Sequence, residues 1–495
     1  MYKINPLFAV DSYKLGHMTM YPEGTTKVYC NLTPRTSKRL QEAMPKGFYD
    51  GKVVVYGVSS SIQEIVSAFA DGFFSQPKEK VLADFAETVQ PFLGDNPPDK
   101  LLANVCKLHD LGYLPLQIKS LPEGVHINPG VPMMTITNTH PDFAWLPNYL
   151  ETFLSAQIWK LSTAATIANV YKHIFKHYAE LTGVDSSFCD WQGHDFSSRG
   201  MSGIIDAARI GSAHITSFMG SDSVSSVDYA KQYYGATGFI AGSVPATEHS
   251  VMCLGSQEGE VDTFRRLFQL YPKGIVSIVS DTWDYWNTIT EIASELKPEI
   301  LTREKDSAGF CKTVFRPDSG NPVDVIIGTQ WTPGVTPETK GSVQCLWEIF
   351  GGTETAKGYK VLDEHVGLIY GDSITPQRAV DILQGLADKG FSSCNIVLGI
   401  GSYTYQYVTR DTLGFAVKAT YAEINGKSVQ IFKQPKTDSG KNSAKGMLRV
   451  DLVDGEYVLT DCLDDDTGGE LSIIFRNGEF YDLPTLQEIR EHLNG

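Results

Sequence analysis

The sequence lacks the features by which several large classes of protein are recognised. Its 495 residues include only eight cysteines, with no Cys-x-x-Cys pair, which argues against a disulfide framework and a zinc ribbon and predicts buried, reduced thiols. The sequence contains no run of about 18 uncharged apolar residues, so no transmembrane helix is predicted. The N-terminus has no apolar segment of signal-peptide length, and no internal period of about 20 to 50 residues indicates a repeat protein.

Basic residues are also scarce relative to acidic ones. The 42 Lys and Arg stand against 58 Asp and Glu, a formal net charge of −16. Proteins that bind nucleic acid or a membrane surface need a net basic face, so we expect neither partner. A local basic pocket for a phosphorylated small molecule is compatible with this balance. These features together predict an acidic, soluble, cytoplasmic protein.

Common catalytic motifs are missing too. The chain has no phosphate loop, no His-Glu-x-x-His and no Gly-x-Ser-x-Gly elbow. Gly399-Ile-Gly401 lacks the third glycine of a dinucleotide fingerprint, although glycines at a strand end let backbone N–H groups approach a phosphate. His173 and His177 have metal-pair spacing on a helix, but nothing nearby completes a ligand set. We expect a structural role for this pair and assign no metal ligand.

From about Gly193 onward, apolar runs alternate with helical stretches. Successive runs end in Asp281, Arg316, Gly371 and Gly399. Such alternation predicts parallel strands covered on both sides, with the chemistry at their carboxyl ends. A (β/α) barrel is the preferred arrangement, and a doubly wound open sheet, which follows a similar rule, is the alternative.

The two ends of the chain have a different, mixed pattern. Short strand-like runs and helical stripes precede the barrel-like part, and hairpin texture follows it. The predicted elements are strands at 28–32 and 53–56, helices at 59–74 and 80–92, strands within 118–136, two helices within 146–181, a hairpin turning at Asn425-Gly426 and a capped helix from Thr485.

Three clusters carry chemistry in their own right. His194-Asp-Phe196-x-x-Arg199-Gly offers an aromatic and a cation, which suit a flat ring and a phosphate, although a loop salt bridge is an equal interpretation. Arg316-Pro-Asp318-Ser-Gly projects a cation and an anion together, as a phosphorylated sugar requires, with a turn-capping Asp as the alternative. Glu248-His249 pairs a carboxylate with a possible nucleophile, acid or base, and the alternative is a structural histidine.

These segments, in this order, resemble the nicotinamide phosphoribosyltransferase family, and in detail its microbial branch. The match extends over nearly the whole chain. It comprises Asp11-Ser-Tyr13-Lys, the three clusters above, Gly211-Ser-Ala-His, Gly220-Ser-Asp222-Ser-Val, Val279-Ser-Asp281, Gly371-Asp372, Thr409-Arg410-Asp411 and the basic loop through Lys433 and Lys441. The resemblance implies an enzyme that makes nicotinamide mononucleotide from nicotinamide and phosphoribosyl pyrophosphate.

The resemblance also implies roles for the residues around the base. The pyridine ring would lie between Phe196 and Tyr13, with Tyr13 donated by the second subunit of a homodimer whose active sites are shared. Asp222 would accept a hydrogen bond from the carboxamide and would repel the carboxylate of nicotinate. Arg199 and Arg316 would line the ring and phosphate region.

Further roles implied by the family concern the sugar, the phosphates and ATP. Asp318, Gly371 and Asp372 would hold the ribose, and the Gly401-Ser402 backbone the 5′-phosphate, while charge for the phosphates would come from Arg35, Arg410, Lys418, Lys433 and Lys441. Mg²⁺ would assist departure of the pyrophosphate. His249 would be phosphorylated by ATP with Glu248 orienting its ring, so the catalytic set is His249, Glu248, Asp281 and Asp318.

Some positions depart from the animal enzymes. Ser373, Ser402 and Tyr403 stand where those enzymes have glycine. Two other functions stay open: a nicotinate phosphoribosyltransferase, against which Asp222 argues, and a non-catalytic family member, against which the intact set of site residues argues.

The family fold is a barrel-like type II phosphoribosyltransferase domain with a mixed α+β domain built from both chain ends. We therefore predict an α/β protein with three segments. They are 1–154 and 401–495, which together form the mixed domain, and 155–400, which forms the barrel-like catalytic domain.

Overall fold

A computed structural model of the chain describes residues 4–94, 99–329, 336–432 and 444–494. Its strands form one large antiparallel sheet, one parallel sheet and three separate antiparallel pairs of strands. In chain order they are β1 (Thr25–Thr33), β2 (Val53–Val54), β3 (Leu116–Ser120), β4 (His126–Ile127), β5 (Met134–Asn138), β6 (Gly193–Asp195), β7 (Val276–Val279), β8 (Thr313–Arg316), β9 (Gly352–Glu354), β10 (Lys360–Leu362), β11 (Val366–Tyr370), β12 (Val397–Ile400), β13 (Ala416–Ile424), β14 (Lys427–Gln430), β15 (Met447–Val453), β16 (Glu456–Leu463), β17 (Ser472–Arg476) and β18 (Glu479–Phe480).

The longer helices surround these sheets. Those of at least eight residues are Val58–Phe69, Lys78–Leu93, Asp99–Leu111, Glu151–Thr182, Ile204–His214, Val224–Tyr234, Glu260–Leu270, Ser342–Phe350, Pro376–Asp388 and Leu486–Asn494. The shorter α-helices are Ser12–Leu15, His17–Met20, Lys38–Ala43, Leu146–Tyr149, Cys189–Gln192, His249–Cys253, Tyr285–Asn287, Ala293–Glu295, Lys297–Leu301, Pro322–Ile327, Pro337–Lys340 and Ser402–Gln406. No helix in these described ranges has the length and apolar character needed to cross a membrane.

The seven-stranded sheet joins the two ends of the chain. Its order is β14-β13-β1-β5-β3-β17-β18, so three strands from before residue 140 lie between two pairs of strands from after residue 415. The pairing of β1 with β13 joins the two chain ends, is antiparallel and spans the full length of β1. This arrangement confirms a mixed domain formed by both ends, while the boundaries at 154 and 400 stay predictions.

The parallel sheet closes into a barrel. Its strands pair in the order β6-β12-β11-β8-β7. Parallel bridges complete the ring from β6 to β7: Asp195 with Ser221, Gly220 with Gly242, and Ala246 with Ser277. The segments around 220 and 242–246 therefore take the place of regular strands in the barrel wall. The prediction of a barrel is confirmed, and the alternative of an open sheet is not.

The helix Glu151–Thr182 packs between the two domains. Most of its residues are buried, and its side chains form hydrogen bonds with both domains. Val54 N donates to Thr166 Oγ1 at 3.0 Å, and Tyr171 Oη donates to the Ile374 carbonyl at 3.2 Å. Each fully buried large apolar side chain stabilises this packing by about 1.5 to 3 kcal/mol. The helix thereby fixes the barrel relative to the antiparallel sheet.

Local signals in the sequence correspond to local structure. Thr375 caps the helix Pro376–Asp388 by accepting from Arg378 N, and Asn425 and Gly426 both have positive φ in the β13–β14 turn.

Each cysteine is a free thiol. Cys253 and Cys462 are exposed, so the prediction of buried thiols is wrong for those two. The buried cysteines are Cys30, Cys189, Cys311 and Cys345.

Glu123 is a buried connection between the domains. Its carboxylate accepts from Gly57 N at 2.9 Å and Ser59 N at 2.6 Å, at the start of the helix Val58–Phe69, and from Tyr234 Oη at 3.0 Å on the barrel side. Burial raises the pKa of Glu123 to about 7, although the hydrogen bonds from the Ser59 and Gly57 backbone and from Tyr234 act in the opposite direction.

We predict that this carboxyl group makes stability depend on pH. Because the folded-state pKa lies above the unfolded value of 4.5, its contribution is complete below pH 4.5 and is lost as pH rises through about 7. The free energy of unfolding of the wild-type protein, measured in urea, should be about 2 to 3 kcal/mol lower at pH 7.5 than at pH 5, at about 1.4 kcal/mol per pKa unit. Glu123→Gln should remove this difference. The exposed Glu79→Gln should keep the wild-type slope, and an unchanged slope in Glu123→Gln would contradict this assignment.

Candidate active site

The loops at the carboxyl ends of the barrel strands build one site around Phe196. This residue directly follows β6, and its backbone N donates to the Ile400 carbonyl of β12 at 3.0 Å. Its half-buried ring lies against the backbones of Gly371 and Gly399. A Cβ on Gly371 would lie 2.9 Å from Phe196 Cε2, and one on Gly399 would be closer still. Both positions therefore need glycine for the ring to occupy this place.

Asp222 lies beside this ring and is held by two donors. His194 Nε2 is 2.9 Å from Asp222 Oδ1, and Ser243 Oγ donates to the same oxygen at 2.5 Å. The His194 ring is 4.9 Å from the Phe196 ring, centroid to centroid. Asp222 Oδ2 accepts no hydrogen bond from the described residues, and the side chain is 44% exposed. One oxygen is thus anchored and the other is available to a ligand.

The electrostatic surroundings keep Asp222 ionised. Burial raises the pKa of its carboxyl group, but the hydrogen bonds from His194 and Ser243 and the charges of His194 and Arg316 outweigh burial, so the pKa lies below its ordinary value. The site therefore presents a negative charge next to an aromatic face at neutral pH.

The loop after β8 is held from both sides. Asp281, at the end of β7, accepts from Asp318 N at 3.0 Å and from Ser319 Oγ at 2.6 Å through Oδ2. From β11, Tyr370 Oη donates to the Ser319 and Gly320 carbonyls at 3.0 and 2.9 Å. These contacts fix the Asp318 carboxylate close to Gly371, where a Cβ would be 3.7 Å from its Oδ1.

Arg316 and Asp281 each leave a buried polar atom without a partner among the described residues. Arg316 donates through one guanidinium nitrogen to the Thr247 carbonyl at 2.5 Å, but its Nε has no acceptor. Asp281 Oδ1 accepts no hydrogen bond. A buried cationic donor and a buried anionic acceptor without partners are what a charged ligand of mixed sign would satisfy.

His249 reaches the same region from the start of the helix His249–Cys253. Its Nδ1 is 3.1 Å from Thr282 Oγ1, and its Nε2 is 3.9 Å from Asp281 Oδ1 and 3.8 Å from Asp318 Oδ2. The imidazole is 47% exposed, so it is accessible to a reactant. No hydrogen bond joins Glu248 to this ring in the part of the chain that the structure describes; its carboxylate accepts from Ser250 Oγ, and its orienting role stays a prediction. Among the described residues, Thr282 is the hydrogen-bond partner of the imidazole.

The loop after β12 packs against the loop after β6. Ser402 Oγ packs against Gly200, next to the exposed Arg199, and Gly401 has open space where a Cβ would project. Ser373 has a φ of 51°, a left-handed conformation that glycine adopts more easily. Tyr403, 55% exposed, stacks on Tyr407 with ring centroids 5.0 Å apart.

For the other predicted site residues, the structure shows no hydrogen bond to the group around Phe196 within the described part of the chain. Tyr13 is 58% exposed on the helix Ser12–Leu15, where its ring contacts His17. Arg35 donates through Nε to the Gly414 carbonyl, and Arg410 lies near Asp411. The exposed side chains of Lys418, on β13, and of Asp372, after β11, complete the described set. Lys433 and Lys441 lie outside the described residues.

Four residues of the site were not assigned a role from the sequence. They are His194, Ser243, Thr282 and Tyr370, which position Asp222, His249 and the loop after β8. His194 belongs to the cluster around Phe196, and Thr282 and Tyr370 adjoin Asp281 and Gly371, whereas Ser243 adjoins no predicted site residue. Their partners are distant in sequence, so no local pattern indicates their role.

The arrangement is suited to a flat amide, a sugar and phosphates. Phe196 offers a face for a ring, Asp222 an acceptor for an N–H₂ group, and Asp318 an acceptor for hydroxyl groups. Arg316 offers a donor to an anion. Carboxylates near a sugar also stabilise positive charge that develops on its ring.

Comparisons with known proteins agree with this chemistry. A family model described as the nicotinate phosphoribosyltransferase (NAPRTase) family matches residues 191–479. A protein of Acinetobacter baylyi named nicotinamide phosphoribosyltransferase is 53% identical over 497 residues, which cover 99% of this chain and 97% of that protein. The protein of that name from Mycoplasma pneumoniae is 36% identical over 453 residues, covering 89% and 94%.

A solved structure shares the fold. The crystal structure of a nicotinate-nucleotide pyrophosphorylase from Pyrococcus furiosus superposes with a TM-score of 0.57 at 16% identity, covering 100% of this chain and 96% of that one. At this identity the likeness concerns the fold, and it agrees with the expected type II phosphoribosyltransferase architecture.

We predict that Gly371 and Phe196 are energetically coupled. Gly371→Ala should destabilise the protein by about 1 to 3 kcal/mol, because its Cβ would displace the Phe196 ring. In a Phe196→Ala background the same change should cost little, since the nearest neighbour is gone. A double-mutant cycle in urea measures this coupling, and equal costs in both backgrounds would show that the ring does not set the requirement for glycine.

Proposed function

The chain belongs to the nicotinate phosphoribosyltransferase (NAPRTase) family, and we propose that it transfers the phosphoribosyl group of 5-phosphoribosyl 1-pyrophosphate to nicotinamide. The products are nicotinamide mononucleotide and pyrophosphate, which makes the reaction a step of NAD salvage. The observation that carries the choice of base is Asp222, ionised and anchored beside Phe196.

Asp222 distinguishes an amide from a carboxylate. Its free Oδ2 accepts from the carboxamide N–H₂ while the pyridine ring lies on Phe196. Nicotinate would place a second negative charge at this point, and two charges about 4 Å apart repel by about 1 to 4 kcal/mol between the dielectric of water and that of a protein surface. His194 and Ser243 hold Oδ1, so the carboxylate cannot easily turn away from the ligand.

The reaction separates charge between the sugar and the leaving group. The pyridine nitrogen attacks the anomeric carbon as its bond to pyrophosphate breaks, and the ribose ring becomes positively charged in between. Asp318, fixed by Asp281 and Tyr370, accepts from ribose hydroxyls and stabilises this positive charge. Arg316 donates to phosphate oxygens through the guanidinium nitrogens that are not bonded to Thr247.

The residues present also fit Mg²⁺ bound together with the pyrophosphate. The buried, unpartnered Oδ1 of Asp281 and the exposed Asp318 carboxylate are hard oxygen donors of the kind this ion prefers. When bound, Mg²⁺ supplies positive charge to the leaving group. Asp281 and Asp318 would hold it through oxygen or bound water.

ATP stimulates this reaction, in our proposal, through His249. The exposed imidazole takes the γ-phosphoryl group of ATP, releasing ADP, and hydrolysis of the phosphohistidine returns the free ring and phosphate. Thr282 supports this role because it fixes Nδ1 and so the direction of the ring. The carboxylates of Asp281 and Asp318 near Nε2 help to take up positive charge on the imidazole.

A homodimer would complete the site. Tyr13 is exposed and distant in sequence from Phe196, and no contact joins the two rings within the described part of the chain. A second subunit could supply Tyr13 as the other face of the ring site. Arg35, Arg410 and Lys418 would add positive charge for the phosphates, partly across the same interface.

The first test offers the purified protein Mg²⁺, phosphoribosyl pyrophosphate and either base. We expect selective formation of nicotinamide mononucleotide, and Asp222→Asn should lower the preference for nicotinamide over nicotinate at least about tenfold, since about 1.4 kcal/mol is tenfold. Asp228→Asn, an exposed change on the neighbouring helix, should keep the preference. Wild-type preference for nicotinate would overturn the assignment, and no product from either base would favour a non-catalytic family member.

The role of His249 is tested separately. We expect ATP to accelerate product formation and to be hydrolysed during turnover, and His249→Ala should abolish both effects while the reaction without ATP remains measurable. His177→Ala, which removes an exposed imidazole from a distant helix, is the control. ATP turnover that survives in His249→Ala would exclude the phosphohistidine.

A further inference from the structure

A second group of chemically competent side chains lies at the opposite end of the barrel. Cys311, Glu364 and His365 place a sulfur, a carboxylate oxygen and a ring nitrogen within 4.8 Å of one another. Cys311 precedes β8, and the other two directly precede β11, so all three lie at the amino ends of strands whose carboxyl ends carry the active site. No metal ligand is predicted from the sequence, in which Cys311 and Glu364 lie 53 positions apart (364 − 311).

The barrel itself fixes this geometry. Thr313 of β8 and Val366 of β11 are partners in the parallel register. Thr313 N also donates to the His365 carbonyl at 2.7 Å. The backbones of the two segments are thus locked side by side, and the cluster does not depend on the conformation of a long loop.

His365 is oriented as metal-binding histidines usually are. Asp363 Oδ1 lies 2.7 Å from His365 Nδ1, and it also accepts from the His365 backbone N at 3.0 Å. A carboxylate on one ring nitrogen fixes the tautomer and leaves the lone pair of the other nitrogen, Nε2, available to a metal. Such a carboxylate typically raises metal affinity by about 10- to 100-fold.

The other two side chains have coordination capacity to spare. Glu364 is exposed and bonds Lys305 Nζ at 2.7 Å through Oε2, which leaves Oε1 for another cation. The buried Cys311 sulfur has a long contact of 3.9 Å to the Glu364 carbonyl. Lys305 balances part of the negative charge around the cluster.

We propose that Cys311 Sγ, Glu364 Oε1 and His365 Nε2 form a binding site for one zinc-like divalent ion. Sulfur, nitrogen and oxygen donors together suit Zn²⁺, with bonds of about 2.3 Å to sulfur and about 2.0 to 2.2 Å to nitrogen and oxygen. Ligand atoms about 3.4 to 3.8 Å apart follow from that tetrahedral geometry, so small side-chain movements complete the site. On binding, the Cys311 thiol loses its proton to solvent as the sulfur–metal bond forms, and water takes the fourth position.

The ion at this site has a structural role. The four residues of β8 separate it from the catalytic end by roughly 13 Å, at about 3.3 Å per residue, so it does not touch the reacting atoms. It joins the starts of β8 and β11, whose other ends carry Arg316 and Gly371. Bound metal therefore stabilises the folded barrel by mass action.

Cobalt(II) provides a direct test, because its absorption reports thiolate ligation. Full-length protein freed of metal by chelator and dialysis is titrated with CoCl₂ in the absence of Mg²⁺ and substrates. We expect one equivalent to bind with a sulfur-to-cobalt charge-transfer band and tetrahedral visible bands, and one equivalent of ZnCl₂ to abolish both and raise Tm. Cys311→Ser should lose the charge-transfer band.

Matched variants separate this site from others. Cys394→Ser, which removes a neighbouring half-buried thiol outside the cluster, should bind cobalt with the wild-type spectrum. Glu364→Gln and Asp363→Asn alter partly exposed residues and should fold; we expect each to weaken binding, the latter by about 10- to 100-fold. Cobalt that binds without a thiolate band, a spectrum retained in Cys311→Ser, or affinity unchanged in both Glu364→Gln and Asp363→Asn would overturn the proposal.

Discussion

The packing of the Phe196 ring against two glycine backbones is the constraint on which the base site depends. Gly371 and Gly399 belong to the ends of neighbouring strands, and neither leaves room for a Cβ under the ring. The ring therefore occupies a place defined by the barrel and not by a loop. Since Asp318 is fixed beside Gly371, the distance between the proposed base site and the proposed ribose site is set by the spacing of adjacent strands.

Negative charge is concentrated where a polyanionic substrate must bind. Asp222, Asp281 and Asp318 belong to this region, and the charge of Arg316 lowers the pKa of Asp222. This concentration of negative charge is compatible with an anionic substrate if each carboxylate faces a part of the substrate that is neutral or becomes positive. The phosphates then require positive charge from Arg and Lys side chains or from a bound cation. Selectivity for a neutral base and demand for cations at the phosphates have the same electrostatic origin.

The two ends of the barrel have different tasks. At the carboxyl ends, short loops converge and their side chains are held by bonds between neighbouring loops, such as Asp281 to Asp318 N. At the amino ends, the register of β8 and β11 brings Cys311 next to His365. Glu123 and the helix Glu151–Thr182 connect this barrel to the antiparallel sheet. Changes at the amino end are therefore expected to act mainly on stability, whereas changes at the carboxyl end are expected to act on chemistry and, where packing is tight as at Gly371, on stability as well.

Apolar runs, together with the residues that end them, were sufficient to predict the strands that end at Asp281, Arg316 and Gly371, because both are local properties of the sequence. The resemblance of ordered motifs was sufficient for the family, since those side chains serve one chemistry. No local pattern could indicate that β1 pairs with β13, that irregular segments close the barrel, or that His194 anchors Asp222. These contacts join residues far apart in the chain, and their energy depends on packing and burial that exist only once the chain has folded.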